Sequence, residues 1–200
     1  MLAYIKGELT VITPEYAVIE TGGLGYKVFM PETAIERLGS IGKTVKVFTY
    51  YRVREDDISI FGFNTQEELR MFELLLSVSG VGAKTAVVII ATIEPSEFAL
   101  AVISEDISEL VKIPGIGKKS AQRIVLELKD KLKKEAISVE ADKKSNKKAQ
   151  INADTEEAIS ALQVLGYNKK EIEKAFEKIN KDGLGLEELI KKGLAALSKK

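Results

Sequence analysis

Two short segments, Ser79-Gly80-Val81-Gly82-Ala83-Lys84 and Pro114-Gly115-Ile116-Gly117-Lys118-Lys119, stand 35 residues apart (115 minus 80), each between an apolar helical run and a second helix. Glycines can take φ > 0, so the chain reverses tightly there and opens a helix whose free N–H groups face outward at the positive end of its dipole. A lysine follows within two residues in each copy. Such a turn holds phosphates, and two at this spacing suggest two grips on one nucleic-acid backbone. For a single copy the competing reading is an ordinary helix–turn–helix corner.

Two better-known glycine motifs do not fit. A Walker phosphate loop requires glycine where Val78 and Ala83 stand in the first copy and Lys112 in the second, with Ser or Thr in place of Lys119. The dinucleotide fingerprint requires a third glycine at Thr85 and Ser120, and a strand rather than a helix before the turn. No nucleotide site is expected. Cysteine and histidine are both absent, which removes disulfides, the usual zinc ligands, thiol nucleophiles and the commonest general base. No catalytic residue, cofactor or metal is expected.

Over 200 residues, 30 Lys and Arg balance 30 Asp and Glu, so the net charge carries no information about a polyanionic partner. Its distribution does. Between Val111 and Lys134 the cations Lys112, Lys118, Lys119, Arg123, Lys129, Lys131, Lys133 and Lys134 face only Glu127 and Asp130, a basic stretch centred on the second hairpin. The N-terminus has no secretory pattern, and the apolar stretch from Ala86 to Ile93 is too short to span a bilayer. A cytoplasmic protein without membrane partners is expected.

The hairpins must be held by something. Residues 1–63 read as five short strands rich in β-branched and aromatic residues, with one helical turn near Thr33 to Leu38, a pattern that suits the five-stranded oligonucleotide-binding (OB) barrel. Residues 64–134 change to helical period: Leu69, Phe72, Leu75 and Leu76 line one face before the first hairpin, and Asp106 with Glu109 resembles a capping box. Residues 135–153, with Lys143-Lys144-Ser145-Asn146-Lys147-Lys148 and almost no apolar period, read as a flexible linker. In residues 154–200, Asp154 to Glu157 and Asn168 with Glu171 read as capping boxes, and Gly166 and Asp182 to Gly185 as breaks, giving three short helices. The expected fold is multidomain α+β: barrel, tandem helix-hairpin-helix domain, linker, and a three-helix, UBA-like C-terminal domain.

In this order, Tyr51-Arg52-Val53-Arg54-Glu55-Asp56 with Phe61-Gly62-Phe63, the two hairpins followed by Ser120-Ala121, and Ala161-Leu162-Gln163-Val164-Leu165-Gly166-Tyr167 resemble the RuvA family of Holliday-junction branch-migration subunits over the whole chain. The resemblance implies a non-catalytic scaffold that binds four-way junction DNA as a homotetramer, or as an octamer of two tetramers face to face. It also implies a hexameric ATPase, RuvB, as the partner that pumps the DNA arms, and the junction resolvase RuvC as a further partner.

Together with the helix-terminus argument, it implies phosphate contacts at Gly80, Val81, Gly82, Gly115, Ile116 and Gly117, supported by Lys84, Lys118, Lys119 and Arg123, with Arg54 a further DNA contact. For the lysines, a solvated helix face is the competing reading. Glu55, Asp56 and Asp57 alone read as a polar turn; the resemblance makes Glu55 and Asp56 an acidic pin at the junction centre. Leu162, Leu165, Tyr167 and Leu194 are either the RuvB-binding surface or the core of a small bundle. A helix-hairpin-helix glycosylase fits poorly, because its catalytic aspartate follows a hairpin by about twenty residues and Asp130 lies too close. A general duplex-binding module that tethers a repair nuclease or ligase is the alternative that survives.

Overall fold

The computed structural model describes residues 2–140, 153–181 and 184–197. Five strands, β1 (Tyr4–Ile12), β2 (Tyr16–Thr21), β3 (Leu24–Phe29), β4 (Thr44–Val53) and β5 (Ile58–Phe63), close into a barrel in the order β1-β2-β3-β5-β4, with α1 (Glu32–Glu36) between β3 and β4. All pairs are antiparallel except β3 with β5, the OB arrangement. Alternation along the strands puts Ile5, Leu9, Ala17, Ile19, Val28 and Val47 inside. The barrel is tight at Gly62, where a Cβ would lie 2.3 Å from Cγ1 of Val28 and 2.6 Å from Cγ1 of Val47. Gly62→Ala is therefore expected to cost about 1–3 kcal/mol as an overpacked core, read as a fall in Tm of roughly 3–10 °C.

A second core begins where the barrel ends. Phe61 and Phe63 from β5 meet Phe72 on α2 (Gln66–Leu76) at ring-centroid distances of 5.2 and 4.9 Å, and Tyr50 meets it at 5.3 Å. α2 starts at a capping box in which Thr65 accepts from the Glu68 amide while the Glu68 carboxylate accepts from the amides of Thr65 and Asn64. Burial pushes the Glu68 carboxyl up, opposed by those two amides and by Arg37 of the α1 C-cap at 3.2 Å. This ion pair, with the Asn64 side chain donating to the Ala34 carbonyl, ties the barrel to the first helix of the hairpin domain.

The hairpin domain continues with α3 (Ala83–Thr92), α4 (Pro95–Ile103), α5 (Ile107–Val111) and α6 (Lys118–Glu140). Pro95 occupies the first turn of α4, where its missing N–H costs nothing. α4 is closed by Glu105 in the left-handed region, φ 56°, and Asp106 then caps α5 through the Glu109 amide. α6 runs on to Glu140, past the end expected at Lys134, so residues 135–140 of the expected linker are helical. The remainder of the expected linker, up to residue 152, lies outside the described residues.

The C-terminal unit has α7 (Ala153–Val164), α8 (Lys169–Phe176) and α9 (Leu186–Leu197). α7 begins ahead of Asp154, which therefore lies inside the first turn and not at the cap. α7 ends in a Schellman turn, with Gly166 at φ 80°, its N–H on the Gln163 carbonyl and the Tyr167 N–H on the Leu162 carbonyl. Asn168 and Glu171 form the expected capping box. The unit packs through α7 and α9 on α4, and its apolar residues join the same core as the hairpin domain. Among the described residues no single helix is long and apolar enough to cross a membrane.

Candidate nucleic-acid interface

The two hairpins have the same backbone wiring. In the first, Gly80 takes φ 83°, the Val81 N–H donates to the Val78 carbonyl, and the first helical bond of α3 runs from Ala86 to Gly82. In the second, Gly115 takes φ 80°, the Ile116 N–H donates to the Ile113 carbonyl, and α6 opens with Ala121 to Gly117. Val81 and Ile116 are buried and anchor the turns, and their amides are spent inside the fold. An anion at either turn would meet the flanking glycines and the amides of the first helical turn, which helix geometry leaves without intrahelical partners.

Both glycines of each pair are free to take φ > 0, but only the first does so. Gly82 has φ −92° and ψ 171°, a conformation open to any residue, and caps α3 without a side chain. A Cβ at Gly82 or Gly117 would meet nothing within 4 Å. Neither backbone nor packing demands glycine there; what its absence of side chain provides is bare, exposed backbone, the requirement for close approach of a phosphate.

Lys84, Lys118 and Lys119 are exposed around these turns. Two other cations of the basic stretch are occupied: Lys112 pairs with Glu109, while Lys129 pairs with Glu105 at 2.6 Å and donates to the Ile103 carbonyl at 3.1 Å, closing the end of α4. Arg123 has a double setting. Its Nη1 donates to the Ser79 carbonyl at 3.2 Å, and with Lys119, Ser120, Ser79, Gly80 and Val81 it lines one cleft of about 200 Å³. The structure thus brings the start of α6 and the first hairpin together, a join that the linear repeat does not announce. Glu127, in the sequence simply one of two acids in a basic run, accepts from the Ser79 N–H at 3.0 Å. Its place one helical turn after Arg123 is the only local clue to that role.

Arg54, Glu55, Asp56 and Asp57 are exposed on the β4–β5 hairpin, well away in sequence from both glycine turns. The Arg54 N–H donates to the Asp57 carbonyl at 2.8 Å, and the Asp57 carboxylate accepts from the Ser59 hydroxyl. Asp57 therefore builds the turn, and Glu55 and Asp56 are what the turn presents. Val53 and Ile58, paired on the stem, are 61% and 63% exposed, unusual for apolar residues facing each other across a ladder.

Three of the four apolar candidates of the C-terminal unit lie inside the fold. Leu162 and Leu165 are fully buried, and Tyr167 nearly so. A Cβ on Gly193 of α9 would come within 2.6 Å of Cδ1 of Leu162, so α9 lies directly on that leucine. The Tyr167 hydroxyl donates to Oε1 of Glu67 on α2 at 3.0 Å, and Arg70 donates to the Gly166 carbonyl while its guanidinium lies 4.1 Å from the Tyr167 ring centroid. Burial beside the Glu67 carboxylate pushes the Tyr167 phenol far above its usual value, so it stays a donor. In this arrangement Leu162, Leu165 and Tyr167 are core and domain contact, the bundle-core side of the two readings left open for them, and Leu194 is partly exposed.

Comparison with known proteins divides the chain along the same lines. Residues 1–62 match the RuvA N terminal domain, residues 72–130 the SAM-like helix-hairpin-helix tandem, and residues 153–198 the RuvA C-terminal domain. A protein of Acetivibrio thermocellus named Holliday junction branch migration complex subunit RuvA is 47% identical over 202 residues, covering all of both chains. Proteins of the same name from Ruminiclostridium cellulolyticum and Natranaerobius thermophilus are 46% and 41% identical, covering 98% and 100% of this chain and all of theirs.

Proposed function

As this chain belongs to the RuvA family, we propose that it is a non-catalytic subunit of a Holliday junction branch migration complex, which grips the arms of a four-way junction and leaves ATP hydrolysis to a RuvB partner. The observation that carries this reading is the repeated turn: two hairpins of identical hydrogen-bond wiring, each with an exposed glycine that neither backbone nor packing requires. Contacts made by backbone amides and lysines read the shape and charge of DNA, not its bases. Preference for a crossover must then come from assembly. A four-fold homotetramer, alone or paired face to face as an octamer, would gather four Glu55–Asp56 tips at the centre and cover the exposed Val53 and Ile58 on the hairpin stems. RuvC would act on the same junction once the arms are positioned.

The test is a competition between a four-way junction and linear duplex of equal length, with the mass of the complex measured alongside. Strong junction preference with a mass of four or eight chains is the expected result. Equal affinity for the two DNAs overturns the scaffold reading and favours a general duplex-binding module that tethers another enzyme.

A further inference from the structure

Ser79, the residue before the left-handed Gly80, has both of its backbone groups held by one helix. Its N–H donates to Oε2 of Glu127 at 3.0 Å and its carbonyl accepts from Nη1 of Arg123 at 3.2 Å, contacts that reach across 48 and 44 residues of chain. Residues four apart on a helix share a face, so Arg123 and Glu127 form a two-pronged clamp on a single residue of the first hairpin. The guanidinium lies against the turn itself, 3.2 Å from where a Gly80 Cβ would be.

Resting on the reading of the hairpins as backbone-phosphate grips, we propose that Glu127 is a positioning residue that fixes the first hairpin relative to the start of α6, so that the two grips meet the DNA as one preset cradle. A carboxylate beside a phosphate-binding cleft repels its ligand, and a surface selected only for affinity would not keep it. Its reach to the Ser79 amide compensates for that repulsion, because a turn already held in place loses less freedom on binding. Arg123 cannot do this alone, because it holds only the carbonyl and itself faces the cleft.

Reach and charge are separable at this position, and three variants of the full-length chain separate them. Glu127→Gln keeps an acceptor oxygen at the same distance without the charge; Glu127→Asp keeps the charge and loses the reach; Glu127→Ala loses both. Alanine and glutamine are good helix formers, so α6 is retained in those two. Glu127→Asp and Glu127→Ala are expected to bind a four-way junction about tenfold more weakly, the scale of one charge-assisted hydrogen bond, with an unchanged salt slope, while Glu127→Gln binds as tightly as the parent or tighter. A merely repulsive acid gives the opposite order, with Ala and Gln tighter and Asp unaltered, and that result overturns the positioning role. Hydrogen exchange at the Ser79 amide, measured without DNA, is expected to accelerate in the Asp and Ala variants alone. Unchanged exchange in Glu127→Ala overturns the clamp, whereas a parent protein that binds neither junction nor duplex overturns the DNA reading and leaves the exchange result to judge the clamp.

Discussion

Replacing Lys118 and Lys119 together by alanine is expected to lower four-way-junction affinity at least about a hundredfold at about 150 mM salt and to flatten its salt dependence, since each neutralised phosphate contributes about −0.9 to the log–log slope. Both lysines lie exposed in the first turn of α6, next to the bare backbone of Gly117, and Lys119 also lines the cleft shared with the first hairpin. In a tetramer the double substitution removes eight cations at once. The sign of the stability change makes the test decisive. Cations at a helix N-terminus oppose the macrodipole, by roughly 0.3–1 kcal/mol each, so the alanine variant should be as stable as the parent or slightly more so. Affinity that falls while Tm holds or rises identifies these lysines as ligand contacts. A solvated helix face would leave the affinity and the salt slope unchanged, and binding measured by anisotropy from about 50 to about 300 mM salt distinguishes the two.

The parts of this architecture that were legible in the sequence are those specified locally. Alternating β-branched residues broken by glycine and proline mark the barrel strands, and the G-x-G turns mark themselves, because a left-handed residue after a helix calls for glycine. Which glycine of each pair is left-handed was not legible: Gly82 and Gly117 look the same as Gly80 and Gly115 in sequence, and only the dihedrals separate a glycine needed for the turn from one that leaves backbone bare. The continuation of α6 to Glu140 is hidden by the polar, lysine-rich run that follows it, although Ala136 and Val139 carry on the helical spacing of Leu128 and Leu132. Long-range pairings were invisible for a different reason. Glu127 with Ser79 and Tyr167 with Glu67 join residues 48 and 100 positions apart, and nothing in either local pattern names its partner. The leucines of α7 show the same limit, since an amphipathic face looks alike whether it meets its own bundle, the neighbouring domain or another protein.

Neutralising the tip of the β4–β5 hairpin should change selectivity more than affinity. With Glu55→Gln and Asp56→Asn combined, linear duplex is expected to bind about tenfold more tightly, and junction preference to fall by a similar factor. These two carboxylates are exposed and the turn does not use them; Asp57 is the structural acid, tied to Ser59 and, through its carbonyl, to the Arg54 amide. A continuous duplex laid across the centre of a four-fold assembly would meet eight such charges, whereas a crossover opens at that point and can lead its strands away. Repulsion against the wrong ligand is thus a source of specificity that costs some affinity. Ionic strength offers an internal control. The Debye length is about 8 Å at physiological salt and about 30 Å at 0.01 M, so the gain in duplex binding should be largest at low salt and shrink as salt rises. A companion variant, Asp57→Asn, should instead loosen the hairpin, lowering junction binding without raising that of duplex. If the paired substitution leaves duplex affinity unchanged at low salt, the tip does not repel DNA, and junction preference must come from the geometry of the assembled hairpins alone.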